Sequence, residues 1–279
     1  MKALRSLLFI PALSTDKLAK AHDRGADALI IELEDAVPAE RKAEARPMAV
    51  AAVKLLAGRG VPILLRVNNP AVMWRQDIAG MPEGLLEAVM LPKVESRDEV
   101  EALAQALARQ FAQPPGIVAL IENPRGVLAA SDIAQHPAVV ALGFGAEDYA
   151  AAIGVAPTPT AVAGPAQHVV TCAHAWGRQC VGLAASIGDV ADIETFASAV
   201  LTARAMGFTG SVCIHPRQVD IVNRGFGPTF EELAWAERLI KANDAMRAVG
   251  TGAFLFEGRL IDGPIVERAR GWLAVATRA

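Results

Sequence analysis

The chain has 279 residues, 53% of them hydrophobic and 20% charged, so it can bury a large core and is not disordered. Its net charge of −3 argues against a nucleic-acid surface, which needs an excess of basic residues. No apolar run approaches the ~18 residues that span a bilayer, and the three cysteines lack metal-ligand spacing. We therefore expect a cytoplasmic protein with reduced thiols that binds neither nucleic acid nor a membrane.

Short apolar segments alternate along the chain with polar segments that are compatible with helices. The predicted strands are 6–11, 28–33, 62–67, 88–94, 116–121, 139–144, 181–185 and 211–214. The predicted helices are 17–24, 38–57, 97–109, 126–135, one long helix ending near Trp176, 193–206 and a short one ending near Asn223. The strands are continuously apolar, as expected of parallel strands buried on both faces.

Eight such units in about 225 residues favour a (β/α)₈ barrel over an open doubly wound sheet. The missing G-x-G-x-x-G after the first strand also weakens a dinucleotide-binding fold. The remaining residues are predicted to form two helices, 230–249 and 264–275, joined by 250–263. We assign residues 1–225 to a catalytic barrel and residues 226–279 to a C-terminal helical extension.

Polar side chains follow the predicted strands at the point where each strand ends. They are Glu32, Glu34, Asp35, Arg66, Asn68, Lys93, Glu95, Glu122, Glu147, Asp148 and His215. The carboxyl ends of barrel strands form the floor of an active site, so these side chains are expected to converge. Carboxylates at such close quarters repel one another unless a cation or protons neutralise them.

Oxygen ligands without a cluster of Cys or His side chains suit Mg²⁺, which binds one or two carboxylates and keeps several water ligands. Such an ion acts as a Lewis acid toward a carbonyl or hydroxyl oxygen of a substrate. Arg66 could bind a substrate carboxylate through two hydrogen bonds. The pattern therefore indicates a site for a small anionic oxo acid or hydroxy acid.

Eight motifs along the chain resemble those of the citrate lyase β-subunit-like family of CoA ester lyases, which includes malyl-CoA and citramalyl-CoA lyases. The motifs are RSLLFIPA, ELEDAVPAERKAEAR, LLRVNN, VMLPKVES, ALIENPRGV, GFGAEDYAAAIG, GFTGSVCIHPRQVDIVN and GRLIDGPIVERA. The resemblance covers almost the whole chain. It implies a (β/α)₈ barrel, a homotrimer and a Mg²⁺ site.

The resemblance also implies roles for individual residues. Glu122 and Asp148 resemble the two direct Mg²⁺ ligands, and Arg66 resembles the arginine that faces the substrate. Glu34 and Asp35 resemble the acidic pair beside the metal-bound waters and join Arg66 as catalytic candidates. Lys93 is a further substrate-binding candidate.

Asp262 in the LIDGP motif resembles an acidic residue that reaches the site of a neighbouring subunit. The extension is therefore expected to contribute to both the oligomer and the active site. The chain departs from the family where Ala12, Glu32 and Asn123 stand, and where Ala185–Ser186 follow the seventh strand. The last two departures bear on the identity of the substrate.

The resemblance implies a Mg²⁺-dependent carbon–carbon lyase that cleaves or forms a thioester such as citramalyl-CoA or malyl-CoA. The products of cleavage would be a 2-oxo acid and acetyl-CoA. Arg66 would stabilise the oxyanion, and Asp262 would carry the proton to or from the acetyl methyl carbon. Both roles are expectations that follow from the resemblance.

Other functions remain open at this point. The chain could be a citrate lyase β subunit acting on a citryl carrier-protein thioester, a thioester hydrolase, or a barrel that has lost its activity and only binds a ligand. A metal-dependent pyruvate aldolase is a further alternative, although such enzymes tend to place a His near the metal. After the first two strands the chain offers only His22 for that purpose.

Structural roles compete with several of the catalytic assignments. Arg66 could simply pair with Glu34 or Asp35, and these two acids could cap the following helix. Lys93 could serve only to balance the acidic side chains around it. His215 could be a packed residue at the barrel end, and Asp262, before Gly263–Pro264, could be an ordinary turn residue.

Overall fold

A computed structural model describes residues 4–188 and 190–276 of the chain. They fall into two compact units, Met1–Phe226 and Gly227–Ala279. The separate roles expected of residues 1–225 and 226–279 stay predictions. No helix among the described residues is long and apolar enough to cross a bilayer.

The first unit is built on eight parallel strands. They are β1 (Ser6–Pro11), β2 (Ala28–Glu32), β3 (Ile63–Arg66), β4 (Ala88–Leu91), β5 (Gly116–Ile121), β6 (Val139–Phe144), β7 (Gln179–Gly182) and β8 (Ser211–Cys213). Their order in the sheet follows the chain from β1 to β7, and β8 pairs with β1. A parallel bridge between Val181 and Gly210 connects β7 to the segment before β8. The predicted (β/α)₈ barrel is confirmed.

Helices connect the strands. They are α1 (Thr15–Ala19), α2 (Lys42–Leu56), α3 (Ala71–Ile78), α4 (Arg97–Gln110), α5 (Pro124–Gln135), α6 (Ala146–Ala152), α7 (Pro159–Ala175), α8 (Ile193–Met206) and α9 (Pro216–Phe226). Short 3₁₀ turns at Ala21–Arg24 and Ala39–Arg41 precede β2 and α2.

The single long helix predicted after the sixth strand was wrong, because the segment forms the two helices α6 and α7. Gly154 adopts a left-handed conformation, with φ of 75°, just after α6. Pro157 follows and disfavours helical geometry at the residue before it. Pro159 then stands in the first turn of α7, where its missing N–H costs no hydrogen bond.

Side chains on the barrel strands alternate between the interior and the helix-covered surface. Leu7, Ile30, Leu64, Met90, Val118, Leu120 and Val181 belong to one buried cluster, and the residues between the strands and helices form a second, larger one. Glu32, Arg66 and Glu122 stand two positions after Ile30, Leu64 and Leu120 along their strands. They therefore continue the inward-facing series at the carboxyl ends of β2, β3 and β5.

The second unit contains α10 (Phe230–Ala248), a hairpin of β9 (Phe254–Phe256) and β10 (Arg259–Ile261), and α11 (Gly263–Ala276). α10 begins with a capping box between Thr229 and Glu232. The hairpin was not predicted from the sequence, because its strands have only three residues each. Its turn residues Glu257 and Gly258 both have positive φ, 47° and 77°, as tight two-residue hairpin turns require.

Candidate active site

Arg66, at the carboxyl end of β3, lies at the centre of a cluster of acidic side chains. It is paired in register with Glu32 of β2, and its Nε donates a hydrogen bond to the Glu32 carboxylate. Its Nη1 lies 3.0 Å from Glu34 Oε2, and its Nη2 lies 3.6 Å from Asp35 Oδ2. The guanidinium group also stacks 4.5 Å from the ring centre of Phe9. Arg66 is therefore held on several sides, and the structural pairing that the sequence allowed is present.

Lys93 follows β4 and contacts both the acidic cluster and Glu122. Its Nζ lies 2.6 Å from Glu34 Oε1 and 3.5 Å from Asp35 Oδ1. Its backbone N–H donates to Glu122 Oε1 at 2.7 Å, from a residue with φ of 54°. Burial acts to lower the pKa of Lys93, but the hydrogen bond and charge of Glu34 outweigh it and raise that pKa. Lys93 thus remains a cation that balances Glu34 and Asp35.

Glu34 is buried, and its two carboxylate oxygens have different surroundings. Oε1 accepts the hydrogen bond from Lys93. Oε2 accepts no hydrogen bond of suitable geometry, although Arg66 lies nearby. Burial raises the pKa of Glu34, and the charge of Arg66 opposes that rise. Glu34 Oε2 therefore interacts with Arg66 mainly through charge, at 3.0 Å from Nη1.

Glu122, directly after β5, is 4% exposed. Burial raises the pKa of Glu122 to about 8, and the negative charges of Asp148 and Glu34 act in the same direction. Asp148, in the first turn of α6, lines the same cavity as Glu122. A side chain at Gly145 would place its Cβ 2.6 Å from Glu122 Oε2, so glycine keeps the space beside this carboxylate open.

Glu122 and Asp148 fit the requirements of a Mg²⁺ site. Their mutual repulsion is what a bound cation would relieve, and both offer the oxygen atoms that Mg²⁺ prefers. Among the described residues, no group of three or more His, Cys, Asp or Glu side chains is arranged to hold a metal ion. Two carboxylates suffice for Mg²⁺, because this ion retains several water ligands.

Two adjoining cavities open at this end of the barrel. The inner cavity measures about 90 Å³ and the outer one about 670 Å³. The residues that line both are Phe9, Arg66, Glu147, Asp148 and Ile187. Glu122 lines the inner cavity, whereas Asp35, Lys17, Arg24 and His215 line the outer one. Acidic groups and Arg66 therefore face a shared space that could hold a small anionic substrate.

The structure thus brings together most of the residues singled out in the sequence. Glu34, Asp35, Arg66 and Lys93 are in direct contact, and Glu122 is bonded to the backbone of Lys93. His215 is half-buried, and its Nδ1 accepts a hydrogen bond from the Arg217 N–H.

Asp262 belongs to the second unit. It is exposed there, and its carbonyl oxygen accepts a hydrogen bond from the Val266 N–H at the start of α11. Its catalytic role therefore stays a prediction.

One expectation about the cluster needs correction, and one residue of the cluster was not predicted. Asp35 does not cap the following helix, since neither the turn Ala39–Arg41 nor α2 has a side-chain cap. Glu32 was not among the site residues predicted from the sequence, although it holds Arg66 most directly. An acidic residue at an inward-facing position of β2 could have indicated this role, because its buried charge needs a partner on a neighbouring strand.

Comparisons with known proteins show to which family the chain is similar. A family model described as HpcH/HpaI aldolase/citrate lyase matches residues 5–216. A citrate lyase subunit beta-like protein of Deinococcus radiodurans is 36% identical over 97% of this chain and 96% of that protein. The mitochondrial citramalyl-CoA lyase of Homo sapiens is 29% identical over 98% of this chain and 85% of that protein.

A solved structure extends the match to three dimensions. The protein CitE of Mycobacterium tuberculosis, in complex with magnesium, acetoacetate and coenzyme A, matches with a TM-score of 0.80 and 30% sequence identity. The match covers 99% of this chain and 99% of that chain. The resemblance noted in the sequence is confirmed, and because the family model covers most of the barrel, the chain belongs to the HpcH/HpaI aldolase/citrate lyase family.

Proposed function

We propose that the chain is a Mg²⁺-dependent carbon–carbon lyase acting on a 3-hydroxyacyl-CoA thioester such as citramalyl-CoA or malyl-CoA. Cleavage would give a 2-oxo acid and acetyl-CoA, and the reverse reaction would join them. The observation that carries the proposal is the arrangement of Glu122, Asp148 and Arg66 around one cavity. This combination provides a place for a divalent cation beside a group that binds a carboxylate.

Glu122 and Asp148 would hold the magnesium ion, and Glu34 and Asp35 would be the acidic pair beside its water ligands, as the resemblance implies. When bound, the ion supplies Lewis acidity to the carboxylate and the hydroxyl oxygen of the substrate. The CitE structure supports magnesium and a CoA compound as ligands, because that relative is in complex with magnesium, acetoacetate and coenzyme A.

Arg66 would orient the substrate and stabilise the negative charge that the hydroxyl oxygen carries once it has lost its proton, before the carbon–carbon bond breaks. Glu32 and Phe9 fix its guanidinium group before the substrate arrives, so little reorganisation is needed during the reaction. Lys93 would help to hold Glu34 and Asp35 in place and would also contact the anionic substrate. Through these contacts, the charged groups of the site would already be in position before the substrate binds.

The acetyl carbon must gain a proton after cleavage, or lose one before condensation. We assign this transfer to Asp262 of a neighbouring subunit, so the active form would be an oligomer, a trimer by resemblance. The bond between the carbinol carbon and the acetyl methylene breaks, the hydroxyl oxygen becomes a carbonyl, and the electron pair passes to the acetyl carbon. The proton lost from the hydroxyl balances the one gained by that carbon, so no further reactant is needed.

The decisive experiment is to incubate the purified chain with malyl-CoA, citramalyl-CoA or citryl-CoA, with Mg²⁺ or with EDTA, and to measure acetyl-CoA. We expect Mg²⁺-dependent release from at least one thioester. If none is cleaved, a subunit that requires a carrier-protein thioester, or an aldolase that uses no thioester, becomes the better assignment.

Asp262→Ala tests the proton transfer separately. We expect loss of activity, about 10²–10⁴-fold for a general acid–base group, with Mg²⁺ binding retained in a thermal-shift titration. Full activity in this variant would remove Asp262 from the mechanism. Light scattering on the same samples would report whether the oligomer persists.

A further inference from the structure

Part of the lining of the inner cavity is apolar, and we call this part the apolar wall. Leu120, Val181 and Val212 come from the interior of the barrel, and Phe144 follows them at the end of β6. Ala185, after β7, is half-buried in the same wall. A substrate whose carboxylate and hydroxyl face Arg66 and the acidic groups would direct its remaining substituent toward these side chains.

The space beside this wall is small, and the backbones of β6 and β7 approach each other closely there. Gly182, which lines the inner cavity, has φ of 141°, and a Cβ there would lie 2.6 Å from the carbonyl oxygen of Phe144. A larger residue at this position would therefore strain the backbone of β7. The inner cavity of about 90 Å³ has room for a small group next to an apolar surface.

The charges around the inner cavity disfavour a second negative group. Of the described residues that line it, Arg66 is the one cation, and Glu122, Glu147 and Asp148 are acids. In the proposed function, a magnesium ion would be bound by Glu122 and Asp148, and Arg66 would face the first carboxylate of the substrate. A second carboxylate would then lose its hydration beside Glu147 without gaining a cation of its own. Lys17 and Arg24, two basic side chains, line the outer cavity instead.

We infer that the inner cavity selects a 2-oxo acid with a methyl substituent, so the preferred thioester is of the citramalyl type and its oxo-acid product is pyruvate. This inference rests on the proposed function and specifies its substrate. The three thioesters differ only in the substituent on the carbinol carbon, which is a methyl group in citramalyl-CoA. It is a hydrogen atom in malyl-CoA and a carboxymethyl group in citryl-CoA.

The first test compares kcat/KM for the three thioesters at saturating Mg²⁺. We expect citramalyl-CoA to be cleaved best, malyl-CoA about tenfold less efficiently because the methyl contact is lost, and citryl-CoA at least about 100-fold less efficiently. Preferred cleavage of citryl-CoA or malyl-CoA would overturn the inference and leave the lyase function standing.

A binding measurement separates the inference from the proposed function. Calorimetric titration with pyruvate and with fresh oxaloacetate, in the presence of Mg²⁺ and with decarboxylation monitored, does not depend on turnover. Tighter binding of pyruvate supports the selective wall, and equal or tighter binding of oxaloacetate contradicts it. If no thioester is cleaved, the proposed function fails, and this titration still decides whether the wall is selective.

A matched pair of variants tests whether charge is the cause. Ala185→Lys adds a cation to the wall, and Ala185→Met adds similar length without charge. We expect Ala185→Lys to reduce the preference for citramalyl-CoA over citryl-CoA at least about tenfold, since the added cation can pair with the second carboxylate. Ala185→Met should not reduce it. Equal changes in both variants would show that size decides the preference and would overturn the argument from charge.

Discussion

The two halves of the candidate site differ in how their negative charges are compensated. On the β2–β3 side, Glu32 is bonded to Arg66, and Glu34 lies 2.6 Å from Lys93 Nζ. On the β5–β6 side, the structure of the described residues gives neither Glu122 nor Asp148 an ion pair. Glu122 receives only a backbone hydrogen bond from Lys93, and burial raises its pKa to about 8.

This difference indicates that the two halves of the site have separate roles. The β2–β3 side is complete without a ligand, so it can orient a substrate with little rearrangement. The β5–β6 side holds two acids whose repulsion a cation would relieve. Each half can therefore be altered separately, and the largest loss of activity is expected on the β5–β6 side.

Glu122→Gln should remove the Mg²⁺ response and lower activity by about 10³-fold or more, because the ion contributes several kcal/mol to charge stabilisation. The amide oxygen can still accept the hydrogen bond from the Lys93 N–H, so the local fold should persist. Mg²⁺ titration by calorimetry, together with steady-state kinetics, measures both effects. Glu95→Gln is the control, since Glu95 also follows a strand but pairs with Arg125. Normal Mg²⁺ affinity in Glu122→Gln would contradict the proposed ligand role.

Arg66→Lys should lower kcat by about 10²–10³-fold, because a lysine cannot bond Glu32 and bind a substrate carboxylate through two hydrogen bonds at once. Mg²⁺ affinity should change little, which would show that the two halves act separately. Arg46→Lys is the matched control, since Arg46 pairs with Asp77. An equal loss of activity in both variants would point to a general effect on folding.

Glu32→Gln should lower kcat about 10- to 100-fold, the usual effect of losing a residue that positions a functional group. Glu32 acts through Arg66, so Glu32→Asp should restore part of the rate if its shorter carboxylate still reaches Nε. A change in kcat with the KM largely kept would distinguish positioning from loss of substrate binding. Unchanged kinetics in Glu32→Gln would show that Phe9 and the remaining acids hold Arg66 without it.

The last effect is on stability rather than on activity, and it concerns pH without metal. The folded-state pKa of Glu122, about 8, exceeds its ordinary value of 4.5. The stability contributed by its neutral form is therefore fully present below pH 4.5 and falls as the pH rises toward 8. The loss is at most about 1.4 kcal/mol per pH unit. Denaturant unfolding with EDTA from pH 5 to 8 should show this slope, and Glu122→Gln should reduce it. An unchanged slope in the variant would assign it to other groups.

The barrel could be predicted from the sequence because continuous apolar segments are the direct mark of buried parallel strands. β1, β5 and β6 have the predicted bounds residue for residue. The break between α6 and α7 was not predicted, because the small apolar residues around it are also typical of helices. A glycine such as Gly154 does not by itself indicate a left-handed backbone conformation. The hairpin of β9 and β10 was missed because three-residue strands are too short to show a period.

Convergence of the site could also be predicted, since the carboxyl ends of barrel strands meet at one end. The sequence could not show which acid holds Arg66. That depends on the register that pairs Glu32 with Arg66 across β2 and β3, which spacing along the chain does not give. Asp35 illustrates the converse, because its place before a helix suggested a cap, yet it lies close to Arg66 and Lys93 instead.

The stacking of Phe9 on Arg66 has a stereochemical consequence. One face of the guanidinium plane is covered at 4.5 Å, so a ligand approaches it in the plane or from the opposite face. The acidic pair Glu122 and Asp148, the guanidinium group and the apolar wall then form three different contact points in a fixed order. A carbinol carbon that bears a hydroxyl, a carboxylate and a methyl group matches such an order in only one of its mirror-image forms. The site is therefore expected to process a single enantiomer of its thioester.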